Sequence, residues 1–198
     1  MKAIRRLTLA VVLIAAPTAV HAEWRAVEVV ETYAISGKTG PELYESIGRK
    51  GPKAIGAARA IAHTNFKLTW SRKYVPKDGA CVLTRAVPKL TITYTLPKPT
   101  GKLPPPVDRN WETFISGIRA HEKVHGDFIR QMVREIEAAT VGMSVAGDPK
   151  CTKIRSELTR RLTAIYQAYK QRNRDFERSE MSNGGNVHRL ILAFVNGG

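Results

Sequence analysis

The stretch LPKPTGKLPPPVD, residues 96–108, holds five prolines. Proline removes a backbone donor and fixes φ, so it breaks helix interiors and confines strands to edges. The segment therefore divides the chain into two regimes. Ahead of it, apolar residues alternate. WRAVEVVETYAIS (24–36) is rich in β-branched and aromatic residues and runs into the turn residues GKTG, the pattern of a strand. Between Ile61 and Val75, Phe66, Leu68 and Trp70 alternate with polar residues. Cys81 to Arg85 and then KLTITYTL (89–96) follow, with Leu90, Ile92, Tyr94 and Leu96 on one face and Lys89, Thr91, Thr93 and Thr95 on the other. PELYESIG, with Pro41 near its start and Gly48, Gly51 and Pro52 at its stop, reads as a short helix after the first strand. Strands with one polar face predict an antiparallel sheet that is wet on one side.

Beyond the prolines the period changes to helical. From Asp108, a candidate N-cap, to about Val141 no proline occurs, and Phe114, Ile118, Phe128, Met132 and Ile136 recur at helical spacing. The loop GMSVAGDPK leads to a second helix from Cys151 to about Met181, carrying Ile154, Leu158, Leu162, Ile165 and Tyr169 among many charges. The apolar tail VHRLILAFVNGG fits either a strand or a helix. Strands first and helices second predict an α+β domain. In it, an antiparallel sheet from the N-terminal half packs on two long helices from the C-terminal half.

MKAIRRLTLAVVLIAAPTAVHA places Lys2, Arg5 and Arg6 before an apolar run, Leu7 to Ala16, and then small residues to Ala22. That order predicts a signal peptide over 1–22 and an exported domain over 23–198. The run is too short to cross a bilayer about 30 Å thick, and no later segment is long and uncharged enough to do so. Export to an oxidising compartment predicts that the two cysteines, Cys81 and Cys151, pair. The whole chain carries +15; without the three basic residues of the leader, 29 basic against 17 acidic residues leave +12. Such a charge suits anionic envelope components as partners, and export argues against nucleic acid. The basic residues, as in KLTWSRKYVPK and RKGPK, are scattered and lack the interleaved aromatics of a nucleic-acid platform, so they read as a solvated face.

The chemistry concentrates in IRAHEKVHGDFIRQM, where His121, Glu122, Lys123, Val124 and His125 spell H-E-x-x-H. On a helix the two histidines share a face and can reach one Zn2+, while Glu122 can approach water bound to it. Phe114, Ile118, His121, His125, Phe128 and Met132 form one stripe at spacings of four, three, four, three and four. The imidazoles therefore point inward, where two unpartnered rings would each cost about 1–3 kcal/mol. A metal would satisfy them. The third ligand is open: Gln131 stands where some families place it, and Glu177 or Glu180 on the second helix are the candidates. Asp127 could orient a ligand histidine or face solvent. His188 is the weak candidate for a hydrogen-bond donor to a developing oxyanion, ahead of His63; Tyr166 and Tyr169 have core spacing.

These residues resemble a bacterial domain-of-unknown-function family described as predicted secreted zinc-dependent proteases. The resemblance runs through YAISGKTGPELYESIGRKGP, AHTNFKLTW, GACVL, KLTITYTLP, RAHEKVHG and FERSEMSNGG. It implies a zincin-like fold with His121 and His125 as ligands, Glu122 as general base and an acid at Glu177. In that family a histidine often follows the acid closely; here SEMSNGGN has none. The expectation is an exported zinc peptidase that hydrolyses polypeptide with a metal-activated water. The rivals are a noncatalytic basic envelope-binding domain with a structural metal site, and a zinc hydrolase of a non-peptide envelope amide.

Overall fold

The computed structural model describes residues 24–53 and 59–197; the expected leader lies outside them. The elements are β1 (Val27–Ile35), α1 (Gly40–Lys50), β2 (His63–Lys77), β3 (Ala80–Pro99), α2 (Val107–Thr140), β4 (Ser144–Val145), α3 (Lys153–Met181) and α4 (Asn186–Asn196). This is an α+β arrangement. Among the described residues, no helix is long and apolar enough to cross a membrane.

The sheet is mixed, not purely antiparallel. β3 lies between β1 and β2, antiparallel to β2 but parallel to β1, with Val27 opposite Thr91 and Ile35 opposite Pro99. Alternation along a strand reports which face is buried and is silent about a neighbour's direction, so the parallel pairing had no sequence signal. The β2–β3 turn did have one. Asp78 and Gly79, both at positive φ, link Lys77 to its partner Ala80, the two-residue turn whose twist matches the flanking strands.

The two segments expected on either side of residue 88 are one 20-residue strand, β3, containing Pro88, Pro97 and Pro99. Its register explains the tolerance. β1 pairs from Thr91 onward, and β2 pairs up to Thr95. Only 91–95, TITYT, has β1 on one side and β2 on the other, and every proline lies outside that window, where β3 carries one of those two partners and a missing N–H can face the open side. The proline-rich divider thus begins inside a strand.

The helices pack on the face that carries Leu90, Ile92, Tyr94 and Leu96. Leu90, Ile92 and Tyr94 meet Ile129, Met132, Val133 and Ile136 of α2. Leu96, Ile35 and Leu43 meet Trp111, Phe114 and Ile118 of α2 and Val187 and Phe194 of α4. The tail is therefore a helix, fixed by Phe194 stacking on Phe114 at 4.5 Å between ring centroids. Each such fully buried side chain contributes about 1.5–3 kcal/mol by removal from water. Asp108 is not the N-cap of α2. Pro106 holds that position, and Asp108, inside the first turn, accepts the Arg109 N–H.

Cys81 and Cys151 form the disulfide, their Cα atoms 5.2 Å apart. It sits in a third cluster with Leu83, Ala86, Met143, Ile154 and Leu158. The bridge ties the start of α3 to the β2–β3 hairpin. Asp148 completes that anchorage: one carboxylate oxygen accepts the Thr152 N–H and the other the Ile154 N–H, both at 2.8 Å. From there α3 runs back along α2 with only Ile154 and Leu158 fully buried. Tyr166, expected in the core, is 45% exposed.

Candidate metal centre

His121 and His125 stand one turn apart on the inner face of α2, both buried, and their Nε2 atoms are 3.1 Å apart. α3 brings Glu177 to them: its Oε1 lies 2.9 Å from His125 Nε2 and 3.5 Å from His121 Nε2. A tetrahedral ion with bonds of about 2.0–2.1 Å sets its ligands roughly 3.3 Å apart. The three edges fall around that value.

The outer nitrogens decide what the inner ones offer. Asn173 donates its Nδ2 to the Tyr169 carbonyl at 2.8 Å, which turns its Oδ1 towards His125 Nδ1 at 2.6 Å. Facing an acceptor, that Nδ1 carries the hydrogen, so Nε2 of neutral His125 presents a lone pair. His121 Nδ1 faces an acceptor as well, Glu180 Oε2 at 3.5 Å. Three acceptors then converge without a donor between them, an arrangement that requires positive charge, a proton or a metal ion. Its electrostatic signature is visible. Burial opposes charging His125, yet hydrogen bonds to Glu177 and Asn173 and the charges of Glu122 and Glu177 raise its pKa. When a proton rather than a metal supplies that charge, hydrogen bonds from His121 and His125 hold Glu177 down at about 2.

Around the trio, Phe176 stacks on His121 at 4.8 Å and meets His125 edge-on at 5.2 Å. Glu122 is buried beside them, and its Oε2 accepts the Thr64 hydroxyl of β2 at 2.5 Å. The side chain of Glu177 is 50% exposed, so the cluster opens to solvent on that side. Gly126, immediately after His125, lets the sheet approach, since a Cβ there would lie 2.1 Å from Tyr94 Oη. The same tyrosine donates to Glu28 of β1 at 2.9 Å, and Lys123 and Arg130 of α2 pair with that carboxylate. Burial works to raise Glu28, but these partners bring it below the usual carboxylate range.

Of the residues expected at a site, His121, Glu122, His125 and Glu177 come together, and Glu180 takes the outer position on His121. Asp127 is exposed and paired with Arg130 at 2.7 Å, so it orients neither imidazole. His188 accepts the Gly184 N–H on α4 and makes no hydrogen bond to the trio; His63 lies exposed on β2. Sequence reasoning missed Asn173, Thr64 and Phe176. Asn173 had a signal, because it precedes Glu177 by four, one turn back along the face that Glu177 and Glu180 define. Thr64 had one as well, as the next position in the alternation of Phe66, Leu68 and Trp70.

The chain is thus an α+β protein with a mixed sheet covered on one face by long helices and with two histidines and a carboxylate gathered between α2 and α3. A family model described as bacterial protein of unknown function (DUF922) matches residues 30–185, from β1 through the end of α3 and across the whole cluster, and the chain belongs to that family. No curated protein and no solved structure matches it.

Proposed function

We propose that the protein is an exported zinc-dependent peptidase with a zincin-like catalytic arrangement. The observation that carries this reading is the convergence of His121 Nε2, His125 Nε2 and Glu177 Oε1 at near-tetrahedral separations, with Glu122 buried alongside. The donor set fits zinc, as imidazole and carboxylate ligands do, and three protein ligands with an open side suit a catalytic site rather than a closed structural one. Zinc held there supplies a Lewis acid and lowers the pKa of water towards 7. His121 and His125 would hold it through Nε2, with Glu180 and Asn173 fixing the rings through Nδ1. Glu122, oriented by Thr64, takes the proton from the attacking water and returns it to the leaving amine. β2 is an outer strand of the sheet and carries Thr64, so an extended polypeptide could add along it beside Glu122. A leader and a disulfide are features an exported protein would carry.

Metal analysis with two substitutions tests the reading. Purified protein should take up about one zinc; His121→Ala should abolish uptake, whereas Glu122→Gln should keep the metal and lose peptide hydrolysis. Absence of metal after zinc-replete purification would falsify the proposal, and one zinc without turnover on any peptide library would leave a metal-stabilised binding domain in its place.

A further inference from the structure

Pairing of β2 with β3 collects basic residues that lie apart in the sequence. On the face turned away from the helices, Lys67 pairs with Thr91, Thr69 with Lys89, Ser71 with Val87 and Lys73 with Arg85. These four rows, two residues apart along each strand, span about 20 Å at roughly 3.4 Å per residue. Lys67, Lys73, Arg85 and Lys89 are all exposed, and none of them forms an ion pair among the described residues. Where β1 reaches this strip it contributes Val27, 59% exposed, and Glu31 stands two rows beyond, opposite Thr95. Lys73 faces Arg85 directly, and like charges in that position destabilise a sheet. A strip of cations without ion-pair partners along one face of the sheet fits an anionic layer that can meet several of them together.

We propose that this open face of the sheet docks the protein on an anionic phospholipid surface, with lysine and arginine reaching the headgroups and the helices with the candidate metal centre turned away from the bilayer. Each cation near such a surface adds attraction that falls off within a Debye length, so binding should weaken with salt. The surface is independent of the metal reading, and either can fail alone.

Vesicle co-sedimentation of the full chain tests it. Zwitterionic phosphatidylcholine vesicles give the apolar baseline, vesicles with about one third phosphatidylglycerol give the signal, and the pull of Lys2, Arg5 and Arg6, common to every variant, is discounted by comparing variants. Wild type should partition at least about tenfold more onto the anionic vesicles at low salt, and the K67Q/K73Q/R85Q/K89Q variant should lose that excess with no fall in Tm, since it removes the Lys73–Arg85 repulsion. A variant with the same loss of charge on other exposed sites, R119Q/R134Q/K150Q/K153Q, should retain most of it. Equal loss in both variants overturns the proposal in favour of net charge alone. Binding of wild type to soluble polyphosphate but not to anionic vesicles overturns it in favour of a polymer site.

Discussion

At the scale of single residues, the outer hydrogen bonds make the sharpest predictions. Asn173→Ala removes the acceptor that fixes the His125 tautomer, and zinc affinity should fall about 10–100-fold; competition with a calibrated chelator measures it, and Asn173→Asp should restore most of the loss. Glu177→Ala should weaken zinc more than Glu180→Ala, because Glu177 reaches both Nε2 atoms whereas Glu180 reaches only His121 Nδ1. Equal effects would mean that the two acids share the inner position. Gly126 makes a prediction without metal. An alanine there gains about 1 kcal/mol of helix propensity but drives a methyl into Tyr94 Oη, so Gly126→Ala should lower stability by about 1–3 kcal/mol in urea unfolding. Adding Tyr94→Phe should recover part of it.

At the scale of elements, α3 is held unequally. Its start is held by buried Ile154 and, from just ahead of the helix, by the disulfide at Cys151 and the Asp148 carboxylate, while its last turns carry Asn173, Glu177 and Glu180 with little burial. Zinc should therefore slow amide hydrogen exchange chiefly over residues 170–181, and a uniform effect along α3 would contradict this picture. Asp148 sets the pH response at the other end. Burial tends to raise its pKa, but the backbone N–H groups of Ile154, Lys153 and Thr152 bring it below the ordinary value. Its stabilisation is then complete above the unfolded pKa near 4 and lost as pH falls through the lower folded value. Asp148→Asn should lower Tm at pH 6 and flatten its fall between about pH 5 and 2. What the sequence showed at this scale was periodicity: the faces of β2, β3 and α2 were readable because one side of each is buried. The direction of β1 and the continuity of β3 through Pro88 were not readable, since both depend on which strand happens to lie alongside.

For the whole molecule, the same distinction separates what could be read from what could not. His121, Glu122 and His125 are close in sequence, so one helix places them, and their local spacing was enough to name them. Choosing between Glu177 and Glu180, or finding Thr64, requires knowing how α3 and β2 lie against α2, which no local pattern carries. The basic strip was hidden in the same way, because KLTWSRK and the residues around Arg85 and Lys89 look like ordinary solvated segments until the register aligns them. The disulfide, legible from cysteine count and expected export, closes a separation of 70 residues; reduction should cost about 2–4 kcal/mol, measurable as a lowered urea midpoint.

The Cys81–Cys151 bridge lies at the start of α3 and the His121–His125–Glu177 triangle near its end. The helix is a beam with a clamp at each end, one closed by oxidation and the other, on the proposed reading, by an ion. Neither clamp closes in a reducing, zinc-starved setting. A helix held this way would draw its rigidity from two separate chemical events, oxidation at its start and, on the proposed reading, ion binding near its end.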